Sequence, residues 1–187
     1  KYFMGDNASI MNQLSDAYSV EVYCRNTSAQ PTTSTRPLCF TNGYGFGLNM
    51  NNKGNISSAT VTQGNKADGT YAKVQWTTTE NGILTSDYTH YVIVYDRKNY
   101  LSQLYINGNL AATRWLTFKE CPVYEWIPTE WMAIGGDAFG TYAQTSSVGS
   151  YPFNGDIALV RIYGKALKAN EVQNLGDIPQ TQERDLN

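Results

Sequence analysis

The sequence predicts an all-β protein: a two-sheet antiparallel β-sandwich with one short C-terminal helix. Apolar and polar residues alternate with a period of two in several stretches, as in strands that are buried on one face. Only one stretch has helical spacing, at Leu167, Val172 and Leu175, and Gly176 follows it as a C-terminal cap. Gly, Ser, Thr, Asn and Tyr crowd the chain, which suits many short strands joined by turns.

Length and charge bound the class of protein. A chain of 187 residues is long enough for one domain with a sizeable core, which we place at residues 1–176, before a polar C-terminal tail at 177–187. The net charge of −2 gives no electrostatic footprint for nucleic acid, and no apolar run could span a bilayer. We therefore expect a monomer without nucleic-acid partners or membrane insertion. The chain opens at Lys1 without a signal peptide, which suggests an excised domain or a mature fragment.

Short alternating stretches fill the first half of the chain. Residues 19–25 are predicted as a strand because small apolar residues fall on one face, and polar or aromatic residues fall on the other. The apolar face carries Val20, Val22 and Cys24. Further extended or alternating stretches, separated by turn signals, are 38–40, 44–50, 56–63 and 71–76.

A strong strand signal and a hairpin signal follow. Residues 88–96 form a long β-branched and aromatic run, and residues 102–107 lead into Asn107-Gly108. Asn-Gly between two apolar stretches favours a tight hairpin, because both residues tolerate the left-handed backbone of a type I′ turn. The return strand is predicted over 110–112.

The last part of the chain predicts two neighbouring strands, at 131–135 and 156–163, joined by a polar loop. The second of them is nearly all apolar, which is typical of a strand covered on both faces. We therefore expect a central strand that buries Val160 and Ile162. A short helix near 168–175 closes the domain.

The three cysteines are Cys24, Cys39 and Cys121, an odd number without metal-like spacing. Two arrangements fit this count. One is a disulfide with one free thiol, and the other is three buried thiols that act as small apolar side chains.

In their order along the chain, these motifs resemble the laminin-G-like, concanavalin A-like lectin/glucanase jelly roll, in its secreted bacterial form. The resemblance covers most of residues 1–176. The pieces that carry it are Tyr88 to Asp96, Leu104 to Gly108, Ile134-Gly135-Gly136, Phe153 to Ile157, Val160 to Tyr163, Ala166-Leu167 and Glu171-Val172, and more loosely Phe3-Met4-Gly5 and Ser19 to Val22. It implies an extracytoplasmic protein with a concave face that often binds glycans. Function stays open, because this fold hosts enzymes, lectins and spacers.

Catalysis is not indicated. Glycosidases of this fold carry paired carboxylates at alternating positions of one strand, which places an acid and a base on either side of the scissile bond. The only regular acidic series is Glu120, Glu125 and Glu130, whose spacing of five sends neighbours to opposite faces of a strand. His90, the only histidine, could act as a general base, but the match to a structural family position favours a packed, hydrogen-bonded side chain.

A structural calcium ion is the one cofactor to consider. Hard cations take oxygen ligands from carboxylates and backbone carbonyls, and Asp6, Asp137 and Asp156 lie near glycine turns. The family's usual acidic position after the Gly-x-Ile unit is Ala158 here, which argues against that ion.

Aromatic residues give the remaining functional signal, because the apolar face of a sugar ring packs on an indole or phenol ring. An aromatic insertion at 114–130 and the polar loop at 137–152 are the candidate ligand-binding segments. Their candidate residues are Trp115, Trp126, Asp137, Tyr142, Gln144 and Tyr151, with Tyr71, Lys73 and Gln75 as an alternative surface. The competing interpretation is that these aromatics are ordinary core or rim residues.

The function predicted from the sequence is a non-catalytic, lectin-like carbohydrate-binding module of a secreted or surface multidomain protein. One alternative is a protein-interaction or spacer domain without a small ligand, and the other is a glycoside hydrolase of the same fold. Exposed aromatics favour the first, a face filled by side chains favours the second, and two carboxyls facing across a cleft favour the third.

Overall fold

The computed structural model describes residues 3–6, 16–29, 35–40, 45–50, 56–65, 71–80, 86–121, 131–136 and 152–175. In chain order its strands are β1 (Phe3–Asp6), β2 (Ala17–Asn26), β3 (Thr35–Phe40), β4 (Gly45–Met50), β5 (Ile56–Asn65), β6 (Tyr71–Glu80), β7 (Thr89–Asp96), β8 (Leu101–Ile106), β9 (Asn109–Trp115), β10 (Trp131–Ile134) and β11 (Gly155–Tyr163). A 3-10 turn spans Phe118–Glu120, and the helix α1 spans Ala169–Leu175.

Two antiparallel sheets contain all of these strands. The large sheet has the order β1-β10-β3-β4-β5-β6, and the small sheet has the order β11-β2-β7-β8-β9. The core lies between the sheets and draws apolar side chains from both, such as Leu48 and Met50 from the large sheet and Val20, Tyr91 and Leu104 from the small one. This arrangement confirms the predicted all-β sandwich.

The outer face of the small sheet carries a second apolar cluster, beneath α1. Val92, Val94 and Tyr105 of the sheet pack there with Leu167, just before the helix, and with Val172, on the helix. Because both faces of β7 are therefore buried, its sequence is a continuous run of β-branched and aromatic residues.

Most of the predicted elements are confirmed. Predicted strands 19–25, 88–96, 102–107 and 131–135 correspond to β2, β7, β8 and β10, and the helix expected near 168–175 is α1. The Asn107-Gly108 hairpin is also present, with φ of 49° and 76° at the two turn residues, the left-handed conformations that a type I′ turn requires.

Three predictions about β11 are wrong. It is an edge strand of the small sheet and not a central strand, and Val160 and Ile162 are only partly buried against the core. Its predicted neighbour, β10, lies in the other sheet. The nearly continuous apolar run that led to these predictions contains a bulge at Ala158, where the register shifts between Ile157 and Leu159. An extra residue changes the alternation, so apolar residues for both faces stand in consecutive positions.

Cys24 and Cys121 are buried free thiols, so neither forms a disulfide. Burial raises the pKa of Cys24 to about 12 and also raises the pKa of Cys121. Both thiols pack in the core as small apolar side chains, as predicted for them in the second arrangement, and the side chain of Cys39 lies outside the described residues.

None of the helices within the described ranges is long and apolar enough to cross a membrane.

Candidate functional site

Among the side chains whose exposure the structure describes, the large apolar ones that face solvent all lie between residues 100 and 118. They are Tyr100, Leu110, Trp115 and Phe118, with exposed fractions of 39%, 53%, 73% and 77%. We call this set the exposed apolar edge, because β9 is the edge strand of the small sheet. Large apolar side chains that stand in solvent are candidates for an interaction site.

The backbone that carries these side chains is anchored in the core. Trp115 pairs with Leu101 across the β8–β9 ladder, and the next residue, Leu116, is buried. The Leu116 N–H donates to the carbonyl of Tyr100 at 2.7 Å, which continues the pairing beyond the end of β9. Trp115 is therefore exposed because its neighbour in sequence takes the inward position.

A polar clamp closes the turn that follows. The N–H and Oγ1 of Thr117 both donate to Glu120 Oε2, at 2.8 and 3.0 Å, and Arg114 Nη2 lies 2.5 Å from Glu120 Oε1. The backbone bond from Thr117, with further help from its hydroxyl and from Arg114, holds the pKa of Glu120 below its ordinary value, against the effect of partial burial. The carboxylate is thus ionised near neutral pH and fixes the turn that carries Phe118.

Further bonds tie this edge to the rest of the sandwich. Arg114 Nη1 donates to the carbonyl of Thr77 in the large sheet at 3.5 Å, and Arg97 Nε donates to the carbonyl of Cys121 at 3.2 Å. Thr78 Oγ1 and Ser102 Oγ, both buried, join the two sheets at 3.1 Å. The exposed rings therefore stand on a backbone that is fixed from several sides.

Such rings offer flat apolar surface at low entropic cost. An aromatic side chain on a fixed backbone has little freedom left to lose when a ligand packs on it. The nearby exposed polar groups, among them Lys98, Asn99 and Thr113, can hydrogen-bond to a polar ligand. This chemistry suits a ligand with one apolar face and a hydroxylated rim.

Trp115 is the one predicted ligand-binding residue whose side chain the structure describes. At 73% exposure it is not a core residue, so of the competing interpretation only a rim position is left for Trp115. Outside the described residues lie Trp126, Asp137, Tyr142, Gln144 and Tyr151. For the alternative surface at Tyr71, Lys73 and Gln75, the structure gives the backbone, which lies on β6 at the edge of the large sheet.

The calcium site stays a prediction. Asp156 Oδ2 accepts a hydrogen bond from Arg25 Nε at 2.9 Å. The side chain of Asp6 and all of Asp137 lie outside the described residues. In the described part of the chain, no group of three or more His, Cys, Asp or Glu residues is placed to hold a metal ion.

His90 is packed and hydrogen-bonded, as predicted, but its partner was not foreseen. Nε2 lies 2.9 Å from Oε1 of Glu21, and both side chains are almost completely buried. Oε2 of Glu21 accepts from the hydroxyl of Tyr163 at 2.6 Å and lies 3.4 Å from Nη1 of Arg161. Burial opposes ionisation of Glu21, but the hydrogen bonds from His90 and Tyr163 and the charge of Arg161 outweigh it, so its pKa is lowered. We call these four residues the Glu21 cluster.

With the fold and this surface described, the class of protein is a concanavalin A-like jelly roll. A family model for the concanavalin A-like lectin/glucanases superfamily matches residues 5–173. Because this match spans most of the chain, the protein belongs to that superfamily. None of the curated proteins matches it.

Solved structures agree with this assignment. The chain is similar to the CBM40 of Ruminococcus gnavus IT-sialidase bound to alpha2,3 sialyllactose, with 17% identity, a TM-score of 0.63, and coverage of 90% of this chain and 86% of that one. It is also similar to the binding domain of botulinum neurotoxin serotype C1, with 13% identity and a TM-score of 0.66 over 96% of this chain and 41% of that chain. At these identities the likeness establishes the fold and leaves the ligand open.

Proposed function

We propose that this domain is a non-catalytic carbohydrate-binding module. The observation that carries the proposal is the exposed apolar edge, where Trp115 and Phe118 stand in solvent on a clamped backbone. An indole ring held in this way presents a flat face on which a sugar ring can stack. The carbohydrate ligands of structural neighbours such as the Ruminococcus gnavus CBM40 support the same class of ligand.

Binding at this site is expected to be modest. One stacked ring and a few exposed hydrogen bonds offset only part of the entropy lost on association. We expect a dissociation constant of about 0.1–1 mM for a single sugar unit, which corresponds to a binding free energy of about −4 to −5.5 kcal/mol. Such weak single contacts suit a module that works beside other domains, since linked sites multiply avidity. We therefore place it in a secreted or surface multidomain bacterial protein.

Four carboxylates in the described part of the chain favour a non-enzymatic role. Glu21, Glu120, Asp156 and Glu171 are each bonded to a cationic or hydroxyl partner. A glycoside hydrolase needs one carboxyl that is protonated and another that is free to attack or to activate water. In Glu21, Glu120 and Glu171 the pKa is lowered, which is the wrong direction for the acid.

The test is a glycan array followed by calorimetry on the wild type and matched variants. Trp115→Ala should weaken binding by about tenfold and leave the melting temperature nearly unchanged, because the indole is mostly exposed. Lys168→Ala, a truncation of an exposed side chain just before α1 and outside the exposed apolar edge, is the control and should bind as the wild type does. Trp126→Ala extends the test along the same insertion at 114–130, and Tyr142→Ala extends it to the polar loop at 137–152. Binding that survives all three aromatic substitutions would place the site elsewhere, and a domain that binds no glycan would refute the proposal.

A protein partner is the second candidate function. Leu110 extends the exposed apolar edge beyond the aromatic rings, and a strip of aromatic and aliphatic side chains is also typical of the centre of a protein interface. In that case Leu110→Ala and Trp115→Ala should weaken partner binding together.

A further inference from the structure

A second aromatic cluster lies on the outer face of the small sheet, away from the exposed apolar edge. Tyr23 of β2 and Tyr88, just before β7, stack with ring centroids 4.9 Å apart and an angle of 21° between the rings. Both tyrosines are partly exposed. The edge of the Tyr23 ring also faces His90, with centroids 6.4 Å apart.

An arginine and an aspartate complete this cluster. The guanidinium carbon of Arg25 lies 4.7 Å from the centre of the Tyr88 ring, and Arg25 Nε donates to Asp156 Oδ2 at 2.9 Å. Asp156 lies opposite Arg25 in the β11–β2 register. Their side chains are 42% and 46% exposed, so a guanidinium, a carboxylate and two phenol rings share one solvent-facing patch. We call these four residues the tyrosine platform.

The strands that carry the tyrosine platform are joined by side-chain hydrogen bonds. The Glu21 cluster lies beside the platform on the same outer face and joins β11, β2 and β7 through buried and partly buried bonds. The register places Leu159 opposite Tyr23 and Arg161 opposite Glu21, which continues the patch along β11. Two neighbouring strands and the residue before β7 therefore position the platform.

The charges of this surface balance. Arg25 is paired with Asp156, and Arg161, which is 51% exposed, is paired with the buried Glu21. An anionic ligand drawn to either arginine would meet a carboxylate at the same place, and a cation would meet a guanidinium. A hydroxyl group can donate to the carboxylate and accept from the guanidinium, so it fits both members of a pair.

From this balance we infer that the tyrosine platform is a second ligand site, which binds a neutral saccharide. The contacts are made by the hydroxyls of the saccharide and by the apolar face of one sugar ring. The inference rests on the proposed carbohydrate-binding function and names a site and ligand class of its own. It also predicts that the platform discriminates against acidic sugars such as sialic acid. An added carboxylate would be repelled by Asp156, and Arg25, which could attract it, is already paired with Asp156.

The experiment is an NMR titration of the labelled domain with lactose and with alpha2,3 sialyllactose, a pair that differs only by the acidic sugar, together with cellotriose, maltotriose and chitotriose. At least one neutral probe should shift the backbone amide signals of residues 23–25, 88 and 156. Trp115→Ala should leave these shifts in place, because that side chain belongs to the other surface. Tyr88→Ala should weaken binding of the neutral probe at the platform by about tenfold. Asp156→Asn should also weaken this binding. The melting temperature of each variant shows whether it is folded.

Three results would overturn the inference. One is the absence of shifts at these amides with every neutral probe, and another is stronger binding of sialyllactose than of lactose at the platform. The third is unchanged neutral binding there in both Tyr88→Ala and a folded Asp156→Asn, which would show that the cluster only holds β11 against β2. Glycan binding that depends on Trp115 alone would refute this inference and leave the proposed function standing, whereas a domain that binds no glycan refutes both.

Discussion

Replacing Glu21 by glutamine tests the energetics of the Glu21 cluster. The carboxylate is completely buried, and its two oxygens take bonds from His90, Tyr163 and Arg161. Because an ionised carboxylate only accepts, the three groups that face it are donors. Glutamine keeps the shape of the side chain but removes the charge and turns one acceptor into a donor.

Either orientation of the new amide breaks part of this network. If the NH2 group faces Tyr163 and Arg161, it opposes the guanidinium of Arg161, and the Tyr163 hydroxyl must turn to accept. If it faces His90, Nε2 must accept and the proton moves to Nδ1, which is buried without a hydrogen-bond partner. An unmatched buried donor costs about 1–3 kcal/mol, and weaker bonds to a neutral acceptor add about 1 kcal/mol. We expect Glu21→Gln to lower the free energy of unfolding by about 2–4 kcal/mol at neutral pH.

The effect should depend on pH in a direction that the pKa fixes. The pKa of Glu21 is lower in the folded state than its ordinary value of about 4.3. Its stabilising contribution is therefore fully present above about pH 4.3 and is lost as the pH falls through the folded pKa. The difference between the wild type and Glu21→Gln should narrow below about pH 4.3.

Urea unfolding followed by tryptophan fluorescence, at pH 6 and at pH 3, measures this difference. Asp16→Asn is the control, because Asp16 forms a surface pair with Arg97 at 3.1 Å and is 56% exposed. Such a pair contributes about 0–1 kcal/mol. The reasoning would be refuted if Glu21→Gln unfolded within the range of the control, or if its deficit grew on acidification.

Two further predictions concern core packing and the bonds that hold the helix. Leu104 is fully buried in β8, and Ile162 is partly buried on an edge strand. In urea unfolding, Leu104→Ala should therefore lower the free energy of unfolding by about 2–5 kcal/mol and Ile162→Ala by about 1–2 kcal/mol, and equal losses would contradict the edge position of β11. Ser19 Oγ donates to the carbonyl of Lys165 and accepts from the N–H of Leu167, both at 2.9 Å. Ser19→Ala should therefore destabilise the domain by about 1–3 kcal/mol and speed hydrogen exchange in α1, whereas unchanged exchange would show that these bonds do not hold the helix.

The fold was largely predictable because most strands keep a simple alternation. In β2 the residues on one face are small and apolar and those on the other are polar or aromatic, and the sheet buries the apolar set as expected. In β11 the same analysis failed. The bulge at Ala158 adds a residue, so Ile157 and Leu159 belong to opposite faces although both are apolar. A local pattern cannot reveal a bulge that only the partner strand defines.

The candidate site was predictable only in part. The aromatic composition after residue 114 indicated Trp115, but whether its ring covers the core or faces solvent depends on where Leu116 packs. The Glu21 cluster could not be found from sequence spacing. His90, Arg161 and Tyr163 are 69, 140 and 142 residues from Glu21, and only the strand order β11-β2-β7 brings them to the same carboxylate.

That strand order has a consequence for how the chain folds. β2 lies between β7 and β11, so one of its two edges stays unpaired until residues 155–163 are available. Likewise β1 pairs with β10, far along the chain. The apolar outer face of β7 stays uncovered until Leu167 and Val172 pack on it. Contacts between such distant residues form slowly, since a long loop must close before they contribute. During synthesis the domain therefore cannot complete its sandwich until its last strand and helix have left the ribosome. Until then, the unpaired edge of β2 offers free backbone groups to which another chain could pair.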